Sequence, residues 1–337
     1  MKAVLTALAL SIGSMAAADC APAPPPVTSL DFASRYDAAD ATRTAIDENA
    51  LDDAEDAIRP VDDFLRDLTE AANKVFDPDR NATGIADCVL AQMAVWARAG
   101  ALSDLGSDTA QLTIGARLAG FGLVAMQVLP FARNDDDARA VADWLTGAAR
   151  AQAVWWEDAA PPGARQGNLR AWAALAAAST SAITGDPGLR SWAAWSISRV
   201  LCSAAPDGSL PQEMRRGRLA LHYQLHAIAP LVVGTLLLDR QGITLTATCD
   251  RALERVVAFA VDDLDDGGAT AAITGEVQSL FDGSDTLEDF NLAWIEAYLR
   301  LDGMAGQDHL DRMARDRRPL GYSKLGGNQT LIWQALR

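Results

Sequence analysis

The chain has 337 residues, half of them apolar, which is enough to bury a large core in one domain or in two modest ones and excludes disordered and coiled-coil classes. Its formal net charge of −16 and sequence pI of about 4.5 repel nucleic acid and anionic membrane surfaces. A polyanionic ligand stays admissible wherever a local basic patch overrides that field. Arginine carries almost all the positive charge, since the only lysines are Lys2, Lys74 and Lys324.

Residues 1–18 read as a secretory signal. Lys2 supplies the positive start, Ala3 to Met15 the apolar stretch, and Ala16-Ala17-Ala18 the small-residue cleavage site. The stretch is too short to span a bilayer comfortably. Cys20 invites a lipoprotein reading, but Asp19 stands where a lipobox has a small residue. No other segment approaches a transmembrane span, so the mature protein is expected to be soluble and periplasmic or secreted. In an oxidising compartment the four cysteines allow three connectivities. Cys20–Cys88 with Cys202–Cys249 is the expected one, with free buried thiols as the alternative for the second pair.

Residues 19–30 form a Pro-rich lead-in, expected to be extended and partly mobile. Residues 31–337 then read as one domain of successive helices, over roughly 40–74, 84–100, 107–130, 135–156, 167–184, 188–203, 210–239, 244–262 and 285–301. Pro60 is expected to break or kink the first. Turn signals such as Asp77-Pro78-Asp79, Asp186-Pro187-Gly188 and Asp302-Gly303 separate the others. Ile243 to Thr246 reads as a helix entry. The acidic, Gly-rich stretch from Asp262 to Asp285 reads as a mobile loop without the spacing of a calcium loop. With no alternating strand pattern the fold class is all-α. Helical hairpins of this kind can close into an α/α toroid with a central cleft.

Several motifs carry no chemistry. Gly120-Phe121-Gly122 lies inside a helical run with no strand before it, so it is not a dinucleotide fingerprint. His222 and His226 share a helix face at metal-binding spacing, but no third ligand sits nearby and Tyr223 stands where a zincin has its glutamate. Neither a metal nor an organic cofactor is expected.

The most unusual stretch runs from Leu210-Pro211-Gln212-Glu213 through Arg215, Arg216 and Arg218 to His222-Tyr223. Arginines at a helix start oppose the macrodipole, a cost tolerated where an anion must bind. Arg216 and Tyr223, two turns apart, share a face. A solvated basic turn beside a core tyrosine is the plainer alternative. This stretch resembles the Arg–Tyr helix of the mannuronate-specific alginate lyases, polysaccharide lyase family 5, whose pattern is approximately LPxELxRxxRALxYH. The resemblance spans nearly the whole mature chain. Ser29-Leu30-Asp31-Phe32-Ala33-Ser34-Arg35-Tyr36 is similar to the family's opening SLDF-x-SKY. Asp87-Cys88-Val89-Leu90 with Trp96-Ala97-Arg98-Ala99 is similar to DCAL and WARA, Leu292 to Glu296 to LAWLE, and Leu325-Gly326-Gly327-Asn328 to LGGN.

The resemblance implies a polysaccharide lyase with Tyr223, Arg216 and Asn168 as its catalytic set. Tyr36, Trp172 and His222 become substrate contacts, and Arg59 falls where the family has a substrate-contacting lysine. The family's NNHxYW segment corresponds to Gly167-Asn168-Leu169-Arg170-Ala171-Trp172, so its catalytic histidine is Leu169 here. The implied partner is an acidic polysaccharide, alginate or a related polyuronate, bound by a monomer.

The chemistry fits those residue types. A uronate lyase removes the C5 proton and expels the C4 oxygen, so the carboxylate's charge must be neutralised as the intermediate forms. Arg216 and Asn168 are suitable donors, and an arginine beside Tyr223 is expected to favour its phenolate. In mannuronate and glucuronate the C5 proton and C4 oxygen share a face, so one tyrosine can serve as base and then acid. Guluronate needs a base on the other face. Mannuronate lyase is therefore the first expectation. A glucuronan or other polyuronate lyase is the second, and a catalytically impaired polyuronate-binding relative is the third.

Overall fold

The helical stretches separated by turn residues set the architecture, and the computed structural model describes it for residues 20–336. The signal expected over 1–18 lies outside the described residues. Six helices come first: α1 (Glu48–Ala72), α2 (Ala82–Arg98), α3 (Asp108–Val128), α4 (Asp135–Asp158), α5 (Asn168–Thr184) and α6 (Pro187–Leu201). After them come α7 (Pro211–Met214), α8 (Ala220–Arg240) and α9 (Thr248–Asp262). Shorter helices complete the chain: α10 (Gly268–Thr274), α11 (Ser279–Asp282), α12 (Ile295–Tyr298), α13 (Gln307–Arg315) and α14 (Gln329–Ala335). Side chains of Asp47, Asn81, Ser107, Asn134 and Asp186 cap α1, α2, α3, α4 and α6, each accepting from a first-turn amide that has no partner inside the helix.

The core is built around α5, which packs against α3, α4, α6 and α8. Helices α3, α5 and α8 are apolar nearly all round, the pattern of a helix enclosed by others. Two stretches, Asp108–Phe131 and Gly217–Arg240, are long and apolar enough to cross a membrane, contrary to the sequence reading. Their most apolar windows are 72% and 89% buried inside the protein, which makes them core helices. Small residues let α3 and α5 approach closely. A Cβ at Gly115 would lie 2.8 Å from the Ala173 backbone, and one at Gly120 would lie 2.7 Å from Leu65. Glycine within α3 thus serves helix packing.

The remaining differences from the sequence reading have local causes. Helix α1 starts at Glu48 and continues through Pro60, because Ile58 before it and Val61, Phe64, Leu65 and Leu68 after it bury one continuous apolar face. Residues 40–47 are turns organised by Asp40, which accepts from the amides of Thr42, Thr44 and Ala45. The lead-in is extended but fastened. Cys20 is bonded to Cys88, Trp96 Nε1 donates to Pro24 O at 3.0 Å, and the Leu102 amide donates to Val27 O at 2.9 Å. It ends in strand β1 (Ser29–Leu30), parallel to β2 (Asp104–Leu105). The second expected disulfide, Cys202–Cys249, is also present.

The acidic stretch after Asp262 holds α10 and α11. Asp263 accepts from the amides of Ala269 and Thr270, and Gln278 ties the segment to Gly217 O and the Leu221 amide. Only a 3-10 turn (Asp289–Leu292) and α12 occupy the expected helix over 285–301. Helices α13 and α14, and the hairpin of β3 (Gly321–Tyr322) with β4 (Gly327–Asn328), had no expectation.

Gly115→Val should destabilise the fold by about 1–3 kcal/mol through overpacking between α3 and α5. Urea unfolding measures it, and an unchanged midpoint would contradict the close approach.

Candidate active site

A cavity of about 430 Å³ opens between α1, α3, α5 and α8, beneath the 31–47 segment. Tyr223, Arg216, Asn168, Tyr36, Trp172 and His222 all line it, so six of the seven expected site residues converge. A smaller cleft of about 270 Å³ continues past Asn168, Leu169 and Arg216.

Arg216 is not on the same helix as Tyr223. It precedes a 3-10 turn (Gly217–Leu219) in which Gly217 has φ +53°, and α8 begins at Ala220. That turn folds Arg216 back so that its guanidinium lies 3.8 Å from the centroid of the Tyr223 ring and 4.8 Å from that of Tyr36. Its Nε donates to Thr42 O at 3.1 Å and Nη2 to Arg43 O at 2.6 Å, which leaves N–H groups over for a ligand. Of the other two arginines, Arg215 is exposed and Arg218 donates to Ser284 Oγ at 2.7 Å.

The hydroxyls of Tyr223 and Tyr36 are hydrogen-bonded to each other, and Arg35 Nη2 reaches them at 3.5 and 2.9 Å. Burial pushes Tyr223 above the usual phenol range, outweighing Arg216. Burial also opposes ionisation of Tyr36, but Arg35, the bond from Tyr223 and Arg216 together pull it below that range. This corrects the expectation that Arg216 alone favours a Tyr223 phenolate. The pair ionises as a unit beside two guanidinium groups.

Asn168 opens α5 and is 5% exposed. Its amide N–H and Nδ2 donate to the two oxygens of Glu213 at 2.7 and 2.8 Å, while its Oδ1 has no partner. Gly167 makes room for this, since a Cβ there would lie 3.0 Å from Glu213 Oε1. Burial pushes the Glu213 carboxyl up to about 7, against the Asn168 hydrogen bonds. Trp172 is only 1% exposed, so it supports the cavity wall from behind, with its ring 5.2 Å from His226. His222 sits at the rim with Nδ1 2.7 Å from Asp285.

Arg59 does not reach the cavity. Ile58 and Asp62, one turn apart on α1, face inward, while Arg59 points outward and pairs with Asp56 at 2.6 Å. Other residues bring the charge. Arg35, Arg43, Arg117 and Lys324 line the cavity with Arg216, against only Glu55 and Asp62, and Arg117 already holds Asp62 through two bonds of 2.9 and 2.7 Å. Burial, reinforced by Arg117, pushes the Lys324 ammonium down to about 7. Sequence reading missed Arg35, Glu213, Arg117 and Lys324. Glu213 within the Leu-Pro-Gln-Glu stretch, and a rare lysine directly before Leu325-Gly326-Gly327, were the available signals.

No cluster of metal-ligating side chains occurs among the described residues. Leu169 and Leu112 form an apolar part of the wall.

The alginate lyase family model matches residues 107–271, a span that includes Asn168, Leu169, Arg216 and Tyr223. The alginate lyase of Pseudomonas aeruginosa (strain LESB58) is 27% identical over 324 residues, covering 94% of this chain and 86% of its own length. That of Pseudomonas syringae pv. tomato is 25% identical over 321 residues, covering 93% and 82%. The crystal structure of alginate lyase A1-III from Sphingomonas species A1 superposes with a TM-score of 0.73 at 21% identity, over 93% of this chain and 85% of its own. A histidine-to-alanine variant of A1-III complexed with tetrasaccharide gives 0.76 at 23%, over 93% and 84%. These matches bear out the α/α toroid.

The Glu213 carboxyl has a sign that can be tested. A raised folded pKa means its contribution to stability is full below about pH 4.5 and is lost as pH rises through about 7. Glu213→Gln should therefore gain on wild type by on the order of 3 kcal/mol between pH 5 and 8. Chemical unfolding at both pH values measures this, and parallel profiles would contradict the buried carboxyl.

Proposed function

We propose that this chain is a member of the alginate lyase family of polysaccharide lyases and that it cleaves β-1,4-linked polymannuronate by β-elimination. The observation that carries the reading is the Arg216 guanidinium lying on the ring of a buried Tyr223 inside a locally cationic cavity. Arg216 binds the uronate carboxylate and stabilises the charge that develops when C5 loses its proton. Asn168 supplies a second donor. When Glu213 is protonated its hydroxyl can donate to the Asn168 amide oxygen, which turns the NH2 group toward the ligand. Glu213 is thus a positioning residue for Asn168.

Tyr223 takes the C5 proton. The C4–O bond then breaks, the C4=C5 double bond forms, and the proton passes to the departing C4 oxygen. One residue suffices because both atoms lie on the same ring face in mannuronate. Guluronate, which needs a base on the opposite face, is the disfavoured polymer. Glucuronan shares the syn geometry and is the next substrate in order. A periplasmic or secreted location goes with this reading, supported by the signal-like sequence of residues 1–18 and by the two disulfides.

Tyr223→Phe should lower turnover of polymannuronate by about 10²- to 10⁴-fold, the worth of an acid–base group, with binding largely retained. Ultraviolet absorbance of the unsaturated product measures it, and unchanged turnover would sink the assignment. One observation favours a second reading. The family's histidine position is an apolar Leu169 on the cavity wall, which suits a relative that binds polyuronate without cleaving it. If the family pocket is otherwise kept, Leu169→His should raise activity or broaden substrate choice. No change in either on polymannuronate, polyguluronate and glucuronan would mean that the pocket is rebuilt.

A further inference from the structure

The chain has three histidines, and two of them line the cavity from the helix that carries Tyr223. His309 is exposed on α13. His222 is committed at the rim to Asp285. His226 is different. No hydrogen-bond partner among the described residues reaches its ring nitrogens. Its ring packs 5.2 Å from Trp172 at 39° and 6.3 Å from Tyr223 at 84°. Trp172 is itself immobilised behind it, with Tyr322 at 6.0 Å edge-on.

We infer that His226 is a substrate-contacting residue, a hydrogen-bonding imidazole that reads a ring hydroxyl of the sugar whose carboxylate sits at Arg216. The inference rests on the lyase reading above and deepens it.

Three facts support it. A half-buried ring packed on aromatic neighbours, with neither nitrogen bonded to the protein, leaves both nitrogens free for a ligand in the cavity it lines. Burial, with His222, Lys324, Arg117 and Arg35 around it, keeps the ring neutral. A neutral imidazole offers one donor and one acceptor, which matches a hydroxyl; a carboxylate only accepts and is matched by the guanidinium. His226 also lies one turn beyond Tyr223 on the same helix face, so a sugar presented to one is presented to the other. Polymannuronate and glucuronan differ only in the orientation of one ring hydroxyl, so a residue that reads hydroxyls separates them.

Two variants test this, measured as kcat/KM on polymannuronate and glucuronan. His226→Phe keeps the ring packing on Trp172 and removes both polar atoms. His226→Gln loses the ring and keeps a donor and an acceptor. The Phe variant should lose roughly 5- to 100-fold in kcat/KM on the preferred polymer, the range for an unsatisfied buried partner, with a smaller loss on the other. The Gln variant should retain more activity than the Phe variant. The reverse order, or a Phe variant within twofold of wild type, would overturn the inference and leave His226 as packing. Oligosaccharide affinity is read in parallel on the Tyr223→Phe background. A protein without turnover then still reports on His226 through the same order of variants, and failure of the lyase reading is seen separately as no product from wild type.

Discussion

Everything in the site follows from one contact, the Arg216 guanidinium laid flat on the ring of a buried tyrosine. A phenol taken out of water resists ionisation, and burial alone makes Tyr223 a poor base. Arg216 and Arg35 counter that cost from two sides, whereas Tyr36, through its charge and its hydrogen bond, adds to it. The same guanidinium has N–H groups left for a carboxylate. In the proposed function one residue thus connects the acidity of the tyrosine pair with recognition of the substrate. The fold serves this contact. Gly217 turns the chain so that Arg216 folds back over α8, and Asp40 shapes the 40–47 turns so that the carbonyls of Thr42 and Arg43 hold the guanidinium in place.

The charge distribution carries the second constraint. A chain of net charge −16 repels a polyanion at long range, so binding depends on local fields within the cavity. The cationic side chains there come from four separate parts of the chain, the 31–47 segment, α3, the turn before α8 and the β3–β4 connection. Asp62 is already neutralised by Arg117. Burial and Arg117 hold the Lys324 ammonium down to about 7, so an anion beside it favours its charged form. The cavity is therefore matched to a negatively charged sugar and poorly matched to a neutral one.

Much of this was legible in the sequence, for identifiable reasons. Apolar spacing and turn signals such as Asp77-Pro78-Asp79 and Asp186-Pro187-Gly188 marked the long helices, because those signals are local. The Arg216–Tyr223 pairing was legible from spacing and resemblance, although the geometry behind it is a folded-back turn and not one continuous helix. What escaped was set by tertiary packing. Arg35 meets Tyr223 across 188 residues of sequence, and Glu213 meets Asn168 across 45. The Arg59 expectation failed by a single position, since Ile58 and Asp62 hold the inward face of α1. Trp172 was expected to contact substrate, but its place in the first turns of the enclosed helix α5 leaves it only 1% exposed. The acidic stretch after Asp262 read as a loop because its helices are short, and their order comes from Asp263 and Gln278 bonding across to neighbouring backbone.

The most direct test is the structure of the Tyr223→Phe variant with a mannuronate oligosaccharide bound. The account predicts a uronate carboxylate on Arg216 and Asn168, the C5–H facing the ring of residue 223, and a sugar hydroxyl on His226. A carboxylate seated elsewhere, or a sugar ring whose C5–H faces away from residue 223, would contradict it.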